Sequence, residues 1–252
     1  MKRIIYCMML LVAVLLATAQ MDARNYVMCV GLSNYPKGVN SLRVSANDAL
    51  TIQKVFEKNG NSTVSILTNE SATRDAVLKK MRQAFANAKS GDAVIFYFSG
   101  HGTKQGLACY DGVLSFDRIL EIMKASPAQT KVVIADACYS GKMRSTKSWE
   151  KAMKKEKVMF FLSSRSQEVS RESYYSNSVF TLYLERGLRG GADFDRNRTI
   201  TAKEIYDFCH NGVIKATNGK QHPVMWGKFN SETPIITWNK NTKDYDNSEA
   251  ND

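Results

Sequence analysis

Val94-Ile-Phe-Tyr-Phe-Ser-Gly-His-Gly102 is an apolar run that breaks directly into a polar, glycine-bearing turn. Val132-Val-Ile-Ala-Asp-Ala-Cys-Tyr-Ser-Gly141 has the same construction. Neither stretch alternates apolar and polar residues as a strand with one wet face does. A continuous apolar run of this length is the pattern of a strand covered on both faces, which is the habit of parallel sheets. Each therefore reads as a buried strand ending in a loop, one loop carrying His101 and the other Cys138.

The rest of the chain fits around these two strands. Tyr26–Val30, Thr63–Leu67, Met159–Leu162 and the short Val224–Trp226 read as further strands. Ala46–Asn59 reads as a helix with Ala49, Ile52 and Phe56 on one face and Gly60 as its stop. Arg74–Ala88 places Val77, Met81, Ala84, Phe85 and Ala88 on one helical face. Ser115 can cap a helix whose core side is Phe116, Ile119, Leu120 and Met123. Val179–Leu188 and Ala202–Ala216 complete the helices. Alternating strands and helices with short connections predict an α/β fold, a three-layer sandwich in which a mostly parallel six-stranded sheet has helices on both faces. In such sheets chemistry gathers beyond the carboxyl ends of the strands, where the histidine and cysteine loops lie.

The 252 residues suit one domain, 20–238, between two unlike ends. Lys2 and Arg3, the apolar run Ile4–Leu16 and Ala17-Thr18-Ala19 form the pattern of a secretory signal peptide, residues 1–19. Its removal predicts export to the periplasm or the exterior and leaves no segment able to span a membrane. Residues 239–252 are polar and Asn/Asp-rich, and are expected to be disordered. Losing Lys2 and Arg3 lowers the formal charge from +11 to +9. The basic residues concentrate between Lys142 and Lys157, without the aromatic ladder that stacks bases, so nucleic acid is not the expected partner. Cys29, Cys109, Cys138 and Cys209 remain after cleavage, too widely spaced for a disulfide framework. If Cys138 stays a thiol, the other three can make at most one bridge.

A thiol becomes a strong nucleophile once an adjacent imidazole takes its proton, and that imidazole can then protonate a leaving amine. Cys138 and His101 are the candidates for these roles. Gly102 and Gly141 permit close backbone approach, and the N–H groups of Gly102 and Cys138 could face a developing oxyanion. Residues and spacing alone leave a buried structural cysteine as an equal alternative.

SGHG after one apolar strand and D-x-C-x-S-G after another resemble the metacaspase branch of the caspase-like cysteine peptidases. The similarity continues in Leu42-Arg-Val-Ser-Ala-Asn-Asp-Ala49, Phe161-Leu-Ser-Ser-Arg, Glu168-Val-Ser, Val179-Phe-Thr-Leu-Tyr-Leu and Gly187-Leu-Arg-Gly190. It runs from about Tyr26 to Phe229. It implies an endopeptidase with Cys138 as nucleophile and His101 as partner, with no metal or organic cofactor in the chemistry. It also implies a primary pocket for Arg or Lys of a peptide or protein substrate, built from Asp48, Ser99 and Asp136. The sequence departs from the pattern in having Ser45 where the family often has Cys, Tyr139 where it often has His, and a connection of 37 residues between His101 and Cys138. Another specificity, or a non-catalytic binding module of the same fold, are the alternatives.

Two weaker signals remain. An enzyme that prefers basic residues could process itself in the segment 142–157. Asp193, Asp195, Asn197, Thr199, Thr201 and Glu204 occupy positions 1, 3, 5, 7, 9 and 12 of an EF-hand-like loop, but Arg198 replaces the usual glycine at position 6. A capping box, Thr201 with Glu204, is the favoured account of the pattern, with calcium as the alternative.

Overall fold

The computed structural model describes residues 23–103, 105–137, 157–164, 176–227 and 229–250. Among these, six strands form one sheet in the order β2-β1-β3-β6-β7-β9: β1 Asn25–Gly31, β2 Ser62–Thr68, β3 Ala93–Gly100, β6 Thr130–Ala137, β7 Val158–Leu162 and β9 Val224–Gly227. The first five run parallel, and β9 closes one edge antiparallel to β7. Two small pairs lie outside it. One is the hairpin of β4 Gly106–Cys109 and β5 Gly112–Ser115, and the other joins β8 Thr199–Thr201 to β10 Pro234–Thr237.

Because successive residues of a strand point to opposite faces, every buried strand divides its side chains between two cores. Val94, Phe96 and Phe98 of β3 join Val133 and Ala135 of β6 against α2 (Arg74–Phe85) and α3 (Phe116–Ala125). Ile95 and Tyr97 join Val132 and Ile134 against α1 (Ser45–Asn59), α4 (Val179–Arg186) and α5 (Ala202–Ala216). The architecture is the expected three-layer sandwich. By the same alternation Ser99 and Asp136, which are directly paired in register, fall on the face of α1 and α4.

Several boundaries move. The helix expected over 179–188 ends at Arg186 and passes into a turn of π geometry, Gly187–Gly191. Gly190 holds φ 133° there, and a Cβ on it would lie 2.7 Å from the Asp246 carbonyl oxygen. The helix expected to reach Ala88 stops at Phe85. Residues 239–250, expected to be disordered, pack against the domain instead. Asp246 N–H donates to Arg189 O at 2.8 Å, Arg186 Nε donates to both Glu249 carboxylate oxygens at 2.9 and 2.7 Å, and the Tyr245 hydroxyl donates to Asp193. Composition alone misreads this segment because its anchors are single polar contacts rather than an apolar stripe. No helix among the described residues is long and apolar enough to cross a membrane. Residues 1–19 and Gln20 lie outside the described part, as do 142–156.

Candidate active site

β3 and β6 are paired in register to their ends, Gly100 opposite Ala137. Neighbouring strands lie about 4.8 Å apart, so the ends of β3 and β6 lie side by side at this sheet edge, each followed in sequence by a candidate catalytic residue. On β3 that residue is His101. On β6 it is Cys138, which lies outside the described residues, as do Tyr139 and Gly141.

The His101 ring is half exposed and held from one side. Its Nε2 is 2.7 Å from the main-chain carbonyl oxygen of Asn40. A carbonyl can only accept, so Nε2 carries the proton and Nδ1 is left as the basic nitrogen of the neutral ring. The Tyr35 hydroxyl accepts from the His101 main-chain N–H at 2.9 Å, and the two rings lie 4.8 Å apart at 44°. Gly102 follows in a bridge to Leu107, made by Ala108 N–H to His101 O at 2.9 Å and Thr103 N–H to Gly106 O at 2.8 Å. The bridge thus uses groups on either side of Gly102.

Beneath this edge, on the α1 and α4 face, Asp48, Ser99 and Asp136 come together. Asp48, in the first turn of α1, is completely buried, and Asp136 is nearly so. Asp48 Oδ2 accepts from Ser99 Oγ at 2.8 Å, while Oδ1 accepts from Asn177 Nδ2 at 3.0 Å and Ser178 N–H at 2.9 Å. Asp136 Oδ2 accepts from Ser178 Oγ and from Thr181 Oγ1, the latter at 2.8 Å. Thr181 has one hydroxyl proton and gives it to Asp136, so Tyr97, 2.6 Å away, must donate to Thr181. Ser178 thereby binds both acids, one through its amide and one through its hydroxyl, and is also the N-cap of α4, accepting from Thr181 N–H at 3.2 Å. The positive end of α4 faces the acid pair.

The acids still oppose one another. Burial first, and then the neighbouring Asp136, raise the Asp48 pKa to about 7, against the three hydrogen bonds that favour its anion. A basic side chain entering between them would relieve that repulsion by charge-assisted hydrogen bonds. Asn177, Ser178, Thr181, Tyr97, Tyr35 and Asn40 belong to this site and are absent from the sequence expectations. Ser178 alone had a readable signal, as a serine directly before the apolar run that opens a helix.

The remaining described thiols are unsuited to nucleophilic work. Cys29, Cys109 and Cys209 are free and buried, and burial pushes each well above the usual thiol range.

The EF-hand-like loop is self-closing. Asp193, Asp195 and Glu204 bring carboxylate oxygens within 4.8 Å of one another. Their present partners are mostly the loop's own groups, with the Tyr245 hydroxyl also donating to Asp193. Asn197 N–H donates to Asp193 and Asp195, both at 3.1 Å, and Arg198 N–H donates to Asp193 at 2.8 Å. Arg198 adopts φ 68°, the left-handed conformation that glycine normally supplies. Its guanidinium turns away over the Tyr245 ring, 4.0 Å from the centroid. The Thr201–Glu204 capping box is formed in full.

A family model described as "Caspase domain" matches residues 24–233. Metacaspase-4 of Arabidopsis thaliana is 30% identical over 133 residues, 43% of this chain and 32% of its own length, so the alignment spans about a third of that relative. Among solved structures, a protein of Geobacter sulfurreducens superposes with a TM-score of 0.63 at 15% identity, over 86% of this chain and all of the other. That likeness concerns the fold.

Proposed function

The chain belongs to the caspase-domain peptidases, and on that premise we propose that it is an exported cysteine endopeptidase cleaving after Arg or Lys. Cys138 attacks the scissile carbonyl after His101 Nδ1 takes its proton. The same nitrogen then protonates the leaving amine as the C–N bond breaks, leaving an acyl-thioester that water hydrolyses. Backbone N–H groups of Gly102 and Cys138 receive the oxyanion. The observation that supports the reading is the Gly100–Ala137 register, which brings the carboxyl ends of β3 and β6 to one edge, with Ser99 and the buried Asp136 paired just before it. Asp48 and Asp136 supply the negative charge for a guanidinium or ammonium group, and Ser99 holds Asp48 in place.

The test is hydrolysis of fluorogenic peptides ending in Arg, Lys, Asp or Ala by the chain beginning at Gln20, beside Cys138→Ala, with and without calcium. Cleavage confined to Arg and Lys, and absent from the variant, is the expected result. Cleavage after Asp or Ala keeps the peptidase and rejects the acidic pocket. Folded protein inert toward all four, including after limited cutting in the 142–157 segment, rejects catalysis in favour of a binding role. Export is checked separately by the N-terminal mass of the protein recovered outside the cytoplasm, expected to begin at Gln20.

A further inference from the structure

The segment between β1 and α1 makes two hydrogen bonds with His101, one to the ring through the Asn40 carbonyl and one to the main chain through Tyr35. The second contact is the less expected. Tyr35 is half-buried and reaches across to the end of β3, where Gly100 leaves the space its hydroxyl occupies. A Cβ at Gly100 would stand 2.7 Å from that oxygen. The hydroxyl accepts from His101 N–H at 2.9 Å and donates onward to Ala108 O at 3.3 Å, so it ties the histidine turn to the β4 strand. The ring then lies against the imidazole.

The base of this arm is itself fastened. Asn69 holds φ 49°, a left-handed conformation that asparagine tolerates better than most residues. Its Oδ1 accepts from both Ser33 N–H, at 2.8 Å, and Asn34 N–H, at 3.0 Å, the two amides before Tyr35. Ser33 adds a third tie, its hydroxyl accepting from Ala46 N–H at 2.9 Å at the start of α1. A chain of hydrogen bonds therefore runs from Asn69 through the 33–35 backbone to Tyr35 and the histidine turn.

We propose that Tyr35, steadied by Asn69, is a positioning residue for His101. It fixes the main chain of the turn and backs the ring so that the imidazole meets the thiol in one orientation. The inference rests on His101 acting as the base proposed above. A displacement on the order of 1 Å at a reacting group can lower a rate about 10²-fold, and the lever arm here is a single residue.

The variant Tyr35→Phe keeps the ring and removes the hydroxyl. Its expected effect is a fall in kcat of roughly 10- to 100-fold with KM within about twofold of the parent. A ring NMR spectrum of histidine-labelled protein supplies a readout that does not depend on activity. The His101 resonances, assigned with His101→Ala, should move in Tyr35→Phe while those of His210 and His222 stay. Asn69→Gly keeps the left-handed backbone but removes the acceptor, and should produce the same pattern at smaller amplitude. It also decides the matter should Tyr35→Phe not fold. Parental kcat with unmoved His101 resonances overturns the proposal, as does a loss expressed only in KM. If the parent itself cleaves nothing, the peptidase reading fails on that assay, whereas the NMR comparison still tests the grip of Tyr35 on His101.

Discussion

A carboxylate taken out of water and set beside a second one resists ionisation, and Asp48 is in that position, with its pKa raised to about 7 by burial and by Asp136. Two consequences follow with opposite signs. On stability, a raised folded-state pKa means that the native form holds its proton longer than the unfolded chain does. The contribution of Asp48 is thus fully present below the ordinary carboxylate value of 3.8 and is lost as pH rises through about 7. On substrate, only the anion pairs with a guanidinium. We expect kcat/KM for Arg peptides to rise with pH through about 7 on a limb that belongs to Asp48, measured as a pH profile from 5.5 to 8.5. Asp48→Asn should remove that limb and lower kcat/KM for Arg peptides by roughly 10²-fold at pH 8, the scale of losing one partner of a buried charge pair. A profile that keeps its limb in Asp48→Asn would assign the titration elsewhere. The positions Asp48, Ser99 and Asp136 were open to sequence reading only through family resemblance. Taken by themselves, an acid in a first helical turn and an acid before a glycine turn have ordinary local explanations. Their partners Asn177 and Thr181 had no signal at all, because the bonds they make span 129 and 45 residues of sequence.

At the scale of elements, legibility followed hydrophobic continuity. β3, β6 and β7 were plain because strands buried on both faces have no polar interruption, and β3 and β6 proved longer than their apolar runs because polar ends such as Thr130 and Ser99 still pair. The β4–β5 hairpin escaped notice. It has four residues on each side, a glycine opening both strands, and Val113 exposed, so no period is established. Its stability comes from tertiary ties instead, Tyr110 N–H to Ala72 O at 3.0 Å and Arg74 N–H to Asp111 at 2.7 Å. Helix starts were more readable than helix ends. Thr201 and Glu204 close a reciprocal capping box on α5, with Glu204 N–H to Thr201 Oγ1 at 3.3 Å and Thr201 N–H to Glu204 at 2.9 Å. Thr201→Ala should cost about 1 kcal/mol. For a domain of this size that is a fall in Tm of roughly 2–4 °C, read by calorimetry. Because Glu204 also lies beside Asp193 and Asp195, the same experiment repeated with added calcium separates capping from cation binding. A Tm that does not change with calcium in the parent leaves capping as the role of this loop.

For the whole molecule, a parallel sheet sends every strand's carboxyl end to one edge, and this gathers His101, Ser99 and Asp136 from separate stretches of chain. The opposite ordering force is at the chain's end. Residues 239–250 wrap against the layer of α1, α4 and α5 and tie three elements that the sheet does not join. Lys58 Nζ on α1 is 2.5 Å from Asp244, Arg186 on α4 meets Glu249, and Tyr245 reaches Asp193 in the loop before β8. The exposed ion pairs each contribute little. The Tyr245 contact differs because Asp193 is fully buried and would lose a donor. Leaving a buried acceptor short of a partner costs about 1–3 kcal/mol. The lost packing of the Tyr245 ring adds about 1–2 kcal/mol. A chain ending at Lys240 should therefore be less stable by roughly 2–5 kcal/mol and melt on the order of 10 °C lower. Tyr245→Phe, which keeps the ring, should recover the packing part only and fall between the two. A truncated chain that melts with the parent would mean that this segment adds nothing to folding. A truncated chain with the expected melting loss but parental kcat would confine its role to the α1, α4 and α5 layer, with no reach to the His101 edge.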